Sequence, residues 1–62
     1  MKLALITGAT KGIGRSTAQT FAKAGWNLIL LARDIHKLQE LKNELSNTGV
    51  KIYILAFLNP TL

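Results

Sequence analysis

"TGATKGIG", residues 7–14, sets three glycines within seven positions, directly behind the apolar run LALI of residues 3–6. After it, Ile13, Thr17 with Ala18, Phe21 with Ala22, and Ala24 recur at helical spacing, which predicts a helix over residues 13–24. A flexible bend between a strand and a helix meets two requirements of phosphate binding. The helix start offers unpaired N–H groups and the positive end of its dipole, here near Ile13 and Gly14. Glycines remove the Cβ atoms that would hold a diphosphate away from those donors. On this reading Gly8 turns the chain out of the strand, Gly12 permits close ligand approach, and Gly14 lets the helix pack tightly on the sheet. Arg15, in the first helical turn, opposes the dipole unless it is paired or reaches a phosphate.

Working outward, residues 2–7, KLALIT, read as a strand apolar enough to be buried on both faces. Gly25 supplies a helix stop, and residues 27–32, NLILLA, form a second apolar run. Residues 35–47 place Leu38, Leu41 and Leu45 on one stripe, with Lys37, Lys42 and Glu44 outside it and Gly49 as the stop. Residues 50–58, VKIYILAFL, read as a third strand. The order is β-α-β-α-β. Apolar strands separated by helices of about a dozen residues predict parallel pairing through right-handed crossovers. The expected fold is therefore α/β: the N-terminal half of a doubly wound (Rossmann) parallel sheet, strand order 3-2-1, with residues 1–62 forming one partial dinucleotide-binding domain. In the complete fold the first strand is central. Here it stands at an open edge with unpaired backbone groups, and without the later helices apolar surface on the sheet is expected to stay uncovered, so the chain alone is expected to be unstable, to aggregate or to depend on a partner, either a complementing chain or a second copy.

Composition narrows the partners. Eight Lys and Arg against three Asp and Glu give a net charge of +5, which favours anionic ligands. The basic residues are scattered and aromatics are few, so a nucleic-acid interface is weakly supported, and steep salt dependence of DNA or RNA affinity would be its mark. The chain has no cysteine and one histidine, His36, which excludes a disulfide framework and a multi-histidine metal cluster. No apolar run approaches a membrane span, and the opening residues are too short in apolar length for a secretory signal, so a cytoplasmic chain is expected.

The glycine pattern by itself is weak evidence, because glycines also make ordinary turns; the flanking strand and helix and the second βα unit strengthen it. Its spacing, G-x-x-x-G-x-G, is neither G-x-G-x-x-G nor a P-loop. TGATKGIGRSTA followed by AKAGWNLILLAR resembles the N-terminal part of the short-chain dehydrogenase/reductase family, whose cofactor signature T-G-x-x-x-G-x-G is matched by Thr7, Gly8, Gly12, Ile13 and Gly14. The resemblance extends to about Phe57. It implies that Thr7 helps to order the loop and that the glycines surround the pyrophosphate of a nicotinamide dinucleotide. The implied cofactor-binding set is Thr7, Gly8, Thr10, Lys11, Gly12, Ile13, Gly14 and Arg33.

The resemblance also bears on which dinucleotide binds. NAD-dependent members carry an acid at the end of the second strand, a position that is Ala32 here. Arg33 follows it, and Lys11 directly precedes Gly12, as in NADP-preferring members. A guanidinium grips a 2′-phosphate with paired hydrogen bonds and an ammonium adds point charge, which favours NADP(H) over NAD(H). Asp34 competes as a ribose-binding acid, but its place at the start of the second helix favours an N-cap.

The family's hydride transfer between a carbonyl or alcohol and the nicotinamide relies on a Tyr-x-x-x-Lys pair. The single tyrosine, Tyr53, has Phe57 four residues on, so no catalytic residue is assigned and no turnover is expected from this chain by itself. Tyr53 reads as a packed strand residue. Ser16 and Ser46 match no catalytic serine, and no acid follows Phe57 to meet the adenine, with Asn59 a weak substitute. The alternatives are a non-catalytic nucleotide-binding or interaction module, or a nonfunctional remnant. His36, Lys23, Lys37, Lys42 and Lys51 read as solvated surface, and Trp26 as a cover over the end of the sheet.

Overall fold

Each parallel strand must be followed by a return path, and in this chain both return paths are helices. The computed structural model describes residues 2–57; Leu58, the expected end of the third strand, and Asn59 lie outside the described residues. Strand β1 (Leu3–Thr7) leads to helix α1 (Gly12–Lys23), strand β2 (Asn27–Ala32), helix α2 (Ile35–Leu45), a 3-10 turn (Ser46–Thr48) and strand β3 (Ile52–Ala56). The strands form one parallel sheet in the order β1-β2-β3, the expected arrangement read from its other edge. Leu5 stands opposite Ile29, and Ile29 opposite Tyr53.

Several element bounds differ by one or two residues from the reading by periodicity, and two of the differences have a visible cause. β3 begins at Ile52 because Lys51 turns its N–H to the Asn27 side chain at 2.9 Å, although its carbonyl already accepts from Leu28 N–H. The second helix ends as α-helix at Leu45 and tightens into the 3-10 turn, where Ser46 Oγ and Thr48 Oγ1 donate to the carbonyls of Asn43 and Leu45. Short hydroxyl side chains that reach back to the preceding turn compete with continued α-helix.

Burial differs from the two-sided reading of KLALIT and follows the expectation of uncovered apolar sheet surface. Both crossovers step across the sheet in the same direction, so right-handed connections bring both helices to one face. Ile6, Leu28, Leu30, Ala32 and Ile52 on that face pack with Ala18 and Ala22 of α1 and Leu38, Leu41 and Leu45 of α2 into one core. Among the described residues nothing covers the opposite face: Leu5, Tyr53 and Leu55 are 63%, 56% and 57% exposed. The apolar runs therefore alternate between a buried and an open face rather than being buried on both. Tyr53 lies in the third strand as expected, but its side chain is not packed. At the end of the sheet Trp26 meets Phe21 edge to face at 5.0 Å, with the Lys2 ammonium 5.8 Å from its ring centre.

A one-sided core makes a sharp contrast between two leucines one position apart in facing. Leu30→Ala is expected to cost about 2–5 kcal/mol in urea unfolding. Leu55→Ala is expected to cost under about 1 kcal/mol. Equal costs would contradict the single covered face.

Candidate functional site

The loop after β1 is built by backbone contacts. Gly8 and Gly12 adopt φ of +61° and +50°, left-handed values that side-chain-bearing residues disfavour, and a Cβ on either would point into open space. Gly14 has the opposite need. A Cβ there would lie 2.3 Å from the Gly8 carbonyl oxygen, so the start of α1 crosses the end of β1 at a distance only glycine allows. Lys11 N–H donates to the Gly8 carbonyl at 3.4 Å and Ala9 N–H to the Leu31 carbonyl at 3.2 Å, with Ala9 fully buried beneath the loop. Thr7 is exposed, and among the described residues its hydroxyl makes no hydrogen bond. Ala9, with its buried side chain and its N–H on Leu31, anchors the loop to the neighbouring strand.

The two helices start differently. Lys11, the N-cap of α1, gives no side-chain cap, and the first turn has no acid. The leading N–H groups of a helix have no partner within it. Asp34 caps α2: its Oδ1 accepts from His36 N–H at 2.9 Å and Lys37 N–H at 3.3 Å. That carboxylate is engaged by its own helix, as the position suggested.

Arg15 does not point its charge unbalanced at the helix dipole. It forms an ion pair with Glu44 of α2, and Gln19 Nε2 donates to the other Glu44 oxygen at 3.0 Å. The Gln19 amide first, and the Arg15 guanidinium with it, hold the Glu44 carboxyl below its ordinary value. This cluster joins the two helices across their outer surface and leaves Arg15 occupied.

At the carboxyl ends of the strands a cavity of about 250 Å³ opens. Gly8, Thr10 and Lys11 of the loop line one side and Ala32 and Arg33 of the second strand's end another. Asp34, Lys37 and Phe57 complete it. Of the eight residues the sequence nominated, Gly8, Thr10, Lys11 and Arg33 thus meet at one cavity. Thr7, Gly12, Ile13 and Gly14 do not line it but belong to the same loop and the adjoining helix start, where Ile13 is 86% exposed. Lys37 and Phe57 were not nominated. Lys37 follows Arg33 by four residues, but Arg33 precedes the Asp34 cap and is not on the helix, so no local pattern marked the pair. Phe57 is brought to the cavity by its N–H, which donates to the Ala32 carbonyl at 3.1 Å.

Those donors and cations suit a phosphorylated ligand, and the open space beside Gly12 leaves room for it. The tightest joint of the site is Gly14, where helix propensity alone would favour alanine by about 1 kcal/mol. Gly14→Ala is nonetheless expected to destabilise by about 1–3 kcal/mol, because the clash is with backbone. An unchanged or raised urea midpoint would contradict the close crossing.

Residues 2–58 match the short chain dehydrogenase family. Sulfoacetaldehyde reductase from Chromohalobacter salexigens is 49% identical over 51 residues, covering 82% of this chain and 20% of that protein. Among solved structures, a short-chain dehydrogenase from Sphingobium yanoikuyae in complex with NADPH superposes with a TM-score of 0.87 at 40% identity, over 90% of this chain and 22% of the other. The alcohol dehydrogenase from the archaeon Thermococcus sibiricus, complexed with 5-hydroxy-NADP, gives 0.88 at 37% identity, over 94% and 25%. The chain thus spans a fifth to a quarter of the length of these relatives. From the glycine loop to the third strand, sequence and backbone agree: the chain belongs to the short-chain dehydrogenase family.

Proposed function

We propose that residues 1–62 are the NADP(H)-binding portion of a short-chain dehydrogenase/reductase-type oxidoreductase, one that moves a hydride between a nicotinamide cofactor and a carbonyl or alcohol. The observation that carries this reading is the meeting of Lys11 and Arg33 at one cavity beside the glycine loop, with Ala32 rather than an acid at the end of β2. An acid at that position would repel a 2′-phosphate, and the nearest carboxylate, Asp34, is held by its own helix. The NADPH and 5-hydroxy-NADP carried by the two solved relatives support the same choice.

In this reading the uncapped start of α1 receives the diphosphate on its free N–H groups near Ile13 and Gly14. Gly12 keeps the approach clear, and Thr10 and Gly8 shape the wall toward the ribose. Arg33 and Lys11 hold the 2′-phosphate, the guanidinium by directional hydrogen bonds and the ammonium by charge. Phe57, 43% exposed, offers an apolar wall to the purine. The bound nicotinamide would supply the hydride-carrying centre. The residues of this chain bind and orient the cofactor, and none is assigned to proton transfer.

A second reading, a binding module completed by further polypeptide, is favoured by the open sheet face at Leu5, Tyr53 and Leu55. Light scattering during cofactor titration separates the two, since the second requires that binding appear only with assembly.

Calorimetry with NADPH and NADH tests the first. The chain is expected to bind NADPH more tightly than NADH, and Arg33→Ala to weaken NADPH about 10- to 100-fold with little effect on NADH. Equal losses for both cofactors would remove Arg33 from the 2′-phosphate.

A further inference from the structure

We infer that Lys37 is a third cation of the 2′-phosphate site and a determinant of NADP(H) over NAD(H) preference; the inference rests on the dinucleotide reading above. Three cationic residues from three separate elements line the same cavity: Lys11 from the loop after β1, Arg33 from the end of β2 and Lys37 from the first turn of α2. Their only carboxylate neighbour in the lining is Asp34, which accepts the N–H groups of His36 and Lys37 instead of pairing with an ammonium or guanidinium. Among the described residues the one ion pair is Arg15 with Glu44, so Lys11, Arg33 and Lys37 line the cavity without a salt-bridge partner. The lining therefore holds an excess of two positive charges.

That excess matches one ligand chemistry. A phosphate monoester carries close to two negative charges near neutral pH and three terminal oxygens. Three cationic groups can each meet one oxygen, whereas the 2′-hydroxyl of NAD(H) offers neither the charge nor the oxygens. The backbone N–H of Lys37 is held by the Asp34 cap, so its side chain leaves the helix from a set position. Lys42, in the last turn of the same helix, lies outside the cavity lining and supplies a control of equal charge.

The test is calorimetry of the chain with NADPH, NADH and adenosine 2′,5′-bisphosphate, for wild type, Lys37→Gln, Lys37→Arg, Lys42→Gln and Arg33→Ala. Circular dichroism checks that each variant is folded; Lys37 is exposed and its cap bond uses backbone, so glutamine preserves the helix start. Lys37→Gln is expected to weaken NADPH and the bisphosphate about three- to tenfold, to leave NADH unchanged, and to lose less at high salt. Arginine should rescue, and Lys42→Gln should have no effect beyond a uniform small change. If Arg33→Ala discriminates between the cofactors while Lys37→Gln does not, the role of Lys37 is overturned and the dinucleotide reading stands. If wild type binds none of the three ligands, both are overturned together.

Discussion

The crossing of the start of α1 over the end of β1 governs the rest of the molecule. A Cβ at Gly14 would stand 2.3 Å from the Gly8 oxygen, so helix and strand meet backbone to backbone. The contact seats Ala9 fully buried beneath the loop and hands its N–H to Leu31 of the neighbouring strand. From that seat α1 lays Ala18 and Ala22 against the sheet, small enough to let the helix lie close to it. The start of α1 has no side-chain cap, and its N-cap residue Lys11 shares a cavity with Arg33 from the end of the second strand.

The direction of the two crossovers has a second consequence. Right-handed connections that step the same way stack both helices on one face, and the site forms where their amino ends and the strands' carboxyl ends converge. The charged side chains sit on helices, loops and strand ends, while the face bearing Leu5, Tyr53 and Leu55 carries none. Among the described residues the sheet has one covered face and β1 pairs on one side only, so its apolar surface is only partly withdrawn from water.

Much of this is legible in the residues because the deciding features are local. NLILLA marks β2 at both ends, Asp34 reads as a cap because it opens a helical stripe, and the glycines announce the turn. What escaped depends on distance along the chain. The partner of Arg15 is Glu44, 29 residues away, and no local pattern joins them. Lys37 reads as an ordinary solvated lysine, and only the folded cavity, which Lys11 and Arg33 also line, gives it company. An apolar run likewise states that a strand can be buried on two faces, whereas the crossover direction decides which face is covered here. The start of β3 shifted because a single side chain, Asn27, took the N–H that pairing would have used.

The central claim is that the backbone at the start of α1 receives a diphosphate. It is tested most directly by titrating the ¹⁵N-labelled chain with NADPH and following its amide resonances. The expected result is that the largest shifts fall on residues 8–14, strongest at Ile13 and Gly14, with a second group at residues 33–37 and little change at Leu5 or Leu55. Amides at residues 12–14 that stay unmoved while the ligand binds elsewhere, or that never respond at all, would contradict it.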